Sequence, residues 1–337
     1  LSLLLAACAR PVVKEEPGET VTAPAAVESE TDSKGRSVQP VPEQEQLTPP
    51  LLYGMLLGEI AGQRGQLDVS GASYLEAARQ SNDPRIAERA LKISVYAKKP
   101  QLALPAARRW VELAPDNIEA RQSLAVLALR TDNQQEALQQ FEYLLQQSEL
   151  QGSDPYQSLL ALLAREPEHE RALKIMEQMV ALRPQEPEAH FAYARLAMHA
   201  KNQPLAEREV ERSLQLRPDW TQALILQAQI HLEQGRGEIA RQQLYAALQR
   251  KPKDADLRLA YARLLVDLDD FDAARAEYHT LYKQQPDNGQ VVYSLALLAL
   301  EANQLKEAED FFEKLVALDY QTQQAYYYLG AIAEEQD

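Results

Sequence analysis

From Leu51 to Asp337 the apolar positions recur with the period of an α-helix, so the pattern predicts an all-α chain. The helical pattern is itself repeated. Pro184, Pro218, Pro252 and Pro286 stand 34 residues apart, and one further step lands on Tyr320 in the phrase Ala317-Leu318-Asp319-Tyr320. A period of this size signals a solenoid. Alignment on these positions brings small residues together at two points: Ala125, Ala194, Ala228, Ala262, Ala296 and Gly330, then Ala137, Ala172, Ala206, Ala240, Ala274 and Ala308. Four residues after the second set come Phe141, Met176, Val210, Leu244, Tyr278 and Phe312. Two antiparallel helices approach closely only where side chains are small, and the bulky residue one turn on fills the next groove. Each proline ends a second helix because it cannot continue the hydrogen-bond ladder, and Asp or Asn just beyond it is placed to cap the next helix.

This spacing resembles the tetratricopeptide repeat, a helix-turn-helix unit, over residues 51–337. The resemblance is strong from 118 to 322, with an irregular junction near Gly152-Ser153-Asp154-Pro155. It is weaker over 51–117, where Gly58, Tyr74 and Ala77 fit one repeat and Ala103, Trp110 and Pro115 another. The expected fold is a superhelical solenoid of about eight repeats plus one first helix at Tyr326-Tyr327-Tyr328-Leu329-Gly330. That helix has no partner in the sequence, so the natural protein is expected to continue past Asp337. Each helix is too short to be stable alone and borrows stability from its neighbours.

Ahead of the repeats the pattern changes. Leu1-Ser2-Leu3-Leu4-Leu5-Ala6-Ala7-Cys8 is too short to span a bilayer but suits the apolar end of a signal peptide. Leu5-Ala6-Ala7-Cys8 resembles a bacterial lipobox, which implies lipidation of Cys8; an ordinary secretory signal with an incidental cysteine is the alternative. By that resemblance the mature protein begins at Cys8 with three acyl chains, enough to hold it on a membrane. Ala9 stands where an inner-membrane retention signal places Asp, so the expected location is the outer membrane, facing the periplasm. Residues 9–50 hold Pro11, Pro17, Pro24, Pro40, Pro42, Pro49 and Pro50 among Glu, Ser, Thr and Val without any period, and are read as a disordered tether. Such a flexible coil has a root-mean-square span of roughly 35 Å.

Composition narrows the partner class. Fifty acidic against 35 basic side chains leave a net charge of −15. With no basic stripe, general nucleic-acid binding is disfavoured, and partners are expected to be proteins. A single cysteine excludes a disulfide framework and any cysteine-rich metal site within one chain.

Candidate chemistry is sparse. His169-Glu170-Arg171-Ala172-Leu173 begins like a zinc-protease helix, but Leu173 stands where the second ligand must be. Asp267, Asp269, Asp270 and Asp272 suggest a calcium loop, yet the turn glycine and terminal Glu are missing, and a turn between two helices explains them. Gly54, Gly58 and Gly62 lie four apart on one helical face, which points to close helix packing and not to a phosphate loop. His231 falls where the repeat usually packs an aromatic. No catalytic residue, metal or cofactor is assigned, and the chain is not expected to be an enzyme.

In this architecture, positions two, five, nine and twelve of each first helix face the concave groove. They are Glu188, Phe191, Arg195 and Met198; Gln222, Ile225, Gln229 and Leu232; Asp256, Leu259, Arg263 and Val266; and Gln290, Tyr293, Leu297 and Leu300, followed by Tyr327. The candidate partner-binding residues are therefore Phe191, Arg195, Ile225, Gln229, Leu259, Arg263, Tyr293, Leu297 and Tyr327. Chaperone-binding tetratricopeptide proteins need Lys and Asn at positions five and nine, which are absent here.

The stretch Thr48-Pro49-Pro50-Leu51-Leu52-Tyr53-Gly54-Met55-Leu56-Leu57-Gly58-Glu59-Ile60-Ala61 and the phrase Asn82-Asp83-Pro84-Arg85-Ile86-Ala87-Glu88-Arg89-Ala90 resemble a pseudomonad family of large tetratricopeptide lipoproteins. The family includes the lipoprotein partner of the periplasmic carboxyl-terminal processing protease. That resemblance implies a membrane-anchored adaptor that activates this serine protease and presents to it peptidoglycan cross-link hydrolases for degradation. Two other readings share the anchor and the repeats: a structural assembly factor, such as a pilotin or exopolysaccharide-export scaffold, and an activator of peptidoglycan synthases.

Overall fold

The computed structural model describes residues 47–152 and 154–336, and these residues form helices joined by short turns. The helices are α1 (Pro49–Gln63), α2 (Leu67–Gln80), α3 (Pro84–Tyr96), α4 (Pro100–Leu113), α5 (Ile118–Arg130), α6 (Gln134–Leu150), α7 (Pro155–Leu163) and α8 (His169–Leu182). They continue as α9 (Pro187–His199), α10 (Gln203–Leu216), α11 (Thr221–Glu233), α12 (Gly237–Arg250), α13 (Ala255–Asp267), α14 (Phe271–Gln284), α15 (Gly289–Glu301), α16 (Leu305–Ala317) and α17 (Thr322–Gln336). Apart from α7 and α8, sequential helices pack as antiparallel hairpins stacked one on the next, so the described residues form an all-helical repeat solenoid. Among the described residues no helix is long and apolar enough to cross a membrane.

Local chemistry sets the helix ends. Second helices α8, α10, α12 and α14 stop two residues before Pro184, Pro218, Pro252 and Pro286, because the residue preceding a proline is pushed out of the helical region. Asn117, Asp254 and Asn288 then cap the next first helix, with Asn117 Oδ1 accepting from the Ala120 amide at 2.9 Å and Asp254 Oδ1 from the Leu257 amide at 3.0 Å. After Pro218 the expected cap fails: Trp220 occupies the cap position, and Asp219 instead meets Arg250. Between first and second helices the chain reverses through one left-handed residue, at Gly65, Lys98, Asp132, Lys201, Gly235, Asp269 and Asn303, with φ from 54° to 73°.

One boundary differs from expectation. The tether was expected to run through residue 50, but Pro49 and Pro50 are the first two residues of α1, with Thr48 as its cap. Proline's missing amide and fixed φ suit the first helical turn, so prolines that read as linker start the array instead. Residues 9–46, and Cys8, lie outside the described residues.

The spacing of small and bulky residues is realised in the core. Ala125, Ala137, Ala172, Ala194, Ala206, Ala240, Ala262, Ala274, Ala296 and Ala308 are fully buried, and so are Phe141, Met176, Val210 and Phe312. Gly330 differs from the rest of its set in being exposed, with nothing within 4 Å of where a Cβ would stand. At the other end of the array a Cβ on Gly58 would meet the Tyr74 ring at 2.6 Å, so glycine there is what lets α1 sit against α2. The buried apolar residues fall into three clusters. One runs from Leu51 to Leu196, one from Leu224 to Ile332, and a small one between them is built of Ala194, Ala197, Ala206, Val210, Ala223, Leu226 and Ile230.

The irregular junction at Gly152 lengthens α6 to 17 residues and shortens α7 to 9. Here α7 packs on α6 and α9, and long-range polar bonds replace the missing hairpin contacts. Arg130, at the end of α5, makes a bidentate pair with Glu166 at 2.8 and 2.9 Å, and Glu166 is only 4 % exposed. Arg171 Nη1 donates to the Arg130 carbonyl at 2.7 Å.

Candidate protein-binding groove

Positions five, nine and twelve of a helix lie three or four residues apart and share a face, so first helices stacked side by side line up these positions as adjacent rows. Along α11 and α13 the rows enclose a cavity of about 300 Å³ walled by Ile225, Gln229, Leu232, Leu259 and Arg263. A second cavity of about 370 Å³ lies along α13 and α15, walled by Arg263, Val266, Phe271 and Leu297. Both cavities share Arg263 and Asp267, so they form one groove. Of the nine expected contact residues, Ile225, Gln229, Leu259, Arg263 and Leu297 are thereby brought together.

The groove is apolar at its floor and charged at its walls. Its ionic side chains are Asp256, Asp267 and Glu301 against the single cation Arg263. None of these four appears in an ion pair among the described residues, whereas some carboxylates elsewhere on the array do, such as Glu136 with Arg108 at 2.7 Å and Glu207 with Arg236 at 2.6 Å.

The remaining expected contact residues are placed differently. Phe191 packs on Trp220, ring centroids 4.5 Å apart, and Arg195 and Arg217 lie over these two rings in turn. The chain's own side chains thus occupy the α9 end of the face. Tyr293 is half-buried with Tyr328 and Tyr320 as neighbours, and burial raises its phenol above the usual range. Tyr327 is 73 % exposed and meets Tyr328 edge-on at 5.4 Å. These residues lie outside the two cavities.

Other sequence signals resolve into packing. His169 opens α8 and meets His199 edge-on at 5.4 Å, while Leu173 packs into the core. Asp269 supplies a left-handed turn, and Asp270 caps α14 and pairs with Arg241 at 2.9 Å. His231 is buried with its Nδ1 unpartnered, and burial followed by the nearby Arg236 lowers its pKa.

A recurring polar device escaped the sequence reading. At position four of a first helix, Arg121 donates back to the Pro115 carbonyl and across to Gln140, both at 2.8 Å. His190 makes the same two contacts, with the Pro184 carbonyl at 3.2 Å and Glu209 at 2.8 Å. Arg258 reaches the Pro252 carbonyl at 2.7 Å and pairs with Glu277. In each repeat the donor lies six residues after the proline and its side-chain acceptor nineteen residues further on, a signal that was present in the sequence. In α11 the position is Leu224, and the equivalent acceptor, Gln243 Oε1, is buried without a partner. An open cavity of about 330 Å³ lies beside Leu224, walled also by Pro218, Leu214 and Glu211.

Residues 163–230 and 231–281 match one tetratricopeptide-repeat family description, and residues 259–321 match another. A TPR repeat-containing protein of Pseudomonas aeruginosa is 33 % identical over 115 residues, which are 34 % of this chain and 19 % of that protein. The match thus spans about a fifth of that relative's length. Among solved structures, a tetratricopeptide protein from Parabacteroides merdae aligns over 85 % of this chain and 100 % of its own, at 15 % identity and a TM-score of 0.42. YrrB, described as a TPR protein with an unusual peptide-binding site, aligns over 51 % of this chain and 89 % of its own, at 16 % identity and a TM-score of 0.39. Tetratricopeptide repeats are typically non-catalytic scaffolds that bind partner proteins or peptides. Residues 163–321 of the chain thus match tetratricopeptide-repeat families, and over a third of its length the chain is similar to a repeat protein of Pseudomonas aeruginosa.

Proposed function

We propose that this chain is a membrane-anchored adaptor whose repeat groove holds a partner polypeptide. The observation that carries the reading is the continuous groove of α11, α13 and α15, where Ile225, Leu259, Val266 and Leu297 leave apolar surface partly open beside unpaired charge. The partner we favour is a periplasmic carboxyl-terminal processing protease, which the adaptor activates while presenting cell-wall cross-link hydrolases to it. Support comes from the stretches at 48–61 and 82–90 and from the partial identity to the Pseudomonas protein. In the same reading Cys8 is lipidated and the protein faces the periplasm from the outer membrane.

Photo-crosslinking in cells from position 259, with position 313 on the outer side of α16 as the comparison, tests the groove. Enrichment of one protein at 259 over 313 is expected, and equal labelling from both positions would refute it. For the pathway, the purified protease is incubated with a hydrolase substrate with and without the full chain. Faster cleavage with the chain is expected; an unchanged rate removes the protease from the proposal.

A further inference from the structure

Across the groove the charge is unbalanced in one direction. Asp256, Asp267 and Glu301 stand on its walls, Arg263 is its one cation, and none of them pairs with a neighbour among the described residues. Some carboxylates elsewhere on the array are answered within the chain, as Glu188 is by Arg217 and Asp270 by Arg241, whereas the groove gathers three beside a single guanidinium. Asp256, Asp267 and Glu301 are exposed, so each attracts a counter-charge modestly, but together they favour a cationic side chain over an anionic one beside the apolar floor. The whole chain, at −15, adds a long-range field of the same sign.

The groove spans three successive first helices, and packed helices lie about 8–10 Å apart. An extended segment advances about 3.3 Å per residue, so side chains about three residues apart reach neighbouring cavities. From this geometry, and resting on the groove reading above, we infer that the occupant is an extended segment with apolar side chains about three residues apart and Lys or Arg between them. The apolar groups enter the cavity at Ile225 and Leu259 and the cavity at Val266 and Leu297. The cation lies against Asp267, with Glu301 or Asp256 on one side according to chain direction. Arg263, on the shared wall, opposes that cation and disfavours a second one beside it.

Two fluorescein-labelled peptides with identical Leu and Val positions test this, one carrying Lys at the intervening positions and the other Glu. Anisotropy titrations use the full chain. The Lys peptide is expected to bind about tenfold more tightly in low salt, with the advantage shrinking as ionic strength rises. Asp267→Asn and Glu301→Gln are each expected to weaken it about threefold, and Arg263→Gln to tighten it, because exposed charge contacts each supply a small increment. Glu313→Gln, on α16 and away from the groove, is expected to leave the affinity unchanged; an equal effect there would show only a general attraction to the acidic chain and would overturn the inference. Tighter binding of the Glu peptide, or binding of neither, would also overturn it. Partner crosslinks at position 259 without any Lys preference would leave the groove reading standing while removing this one.

Discussion

Tyr156 on α7 donates its hydroxyl to Glu186 at the start of α9, with Oη 2.9 Å from Oε2, so the bond crosses the whole of α8. Burial pushes both groups upward, the phenol because it is enclosed and the carboxyl because it is half-buried. Tyr156→Phe keeps the packing and removes the donor. We expect a loss of about 1 kcal/mol, at the low end for a bond to a charged group because water reaches Glu186. Urea denaturation reads the loss, and amide exchange should show it concentrated in α7 to α9.

Ala274 is fully buried in the small-residue set of the repeats. Ala274→Leu inserts three carbons where there is no room, at a cost of about 1–3 kcal/mol from overpacking. A lowered melting temperature checks this, and an unchanged one would show that the alignment of small residues has no packing role.

Leu224 stands where other repeats place Arg121, His190 or Arg258. The neighbouring cavity of about 330 Å³ has room for a longer side chain, and Gln243 Oε1 lacks a donor. Leu224→Arg is therefore expected to stabilise the array by about 1 kcal/mol, the net value of a recovered buried hydrogen bond. Arg258→Leu is expected to move stability the other way. Parallel thermal melts of the two variants decide it.

His231 titrates below its ordinary value of 6.5, chiefly through burial and next through Arg236. The unfolded chain therefore binds more protons than the folded one as pH falls below 6.5. Its contribution to stability is complete above that pH and is lost progressively on acidification. His231→Phe fits a position where the repeat packs an aromatic and removes this component. Urea midpoints at pH 7 and pH 5 should converge more closely in the variant than in the parent.

The repeat frame was legible in the sequence because every member of each set, from Ala125 to Ala308 and from Phe141 to Phe312, is a residue whose size meets one local demand. Ile225, Leu259 and Arg263 were legible for the same reason, since their position on a helix fixes the face they share. Phe191 was not, because Trp220 lies in a turn where no periodicity announces its packing. The closure of the irregular junction was also hidden. Gly152 and Pro155 mark the break, but Arg130 with Glu166 and Tyr156 with Glu186 are pairs 36 and 30 residues apart whose letters look like ordinary surface. Pro49 and Pro50 misled because proline belongs equally to linkers and to first helical turns.

The small middle cluster of alanines, Val210, Leu226 and Ile230 is bridged to its large neighbours by the shared helices α9 and α11 and by half-buried side chains such as Leu173, Leu205 and Leu214. Denaturation of the two flanking blocks is not compelled to be simultaneous. Amide exchange in α3 and α4 and in α13 and α15, one pair in each large cluster, is expected to show different opening free energies. One block can then loosen under stress before the other does.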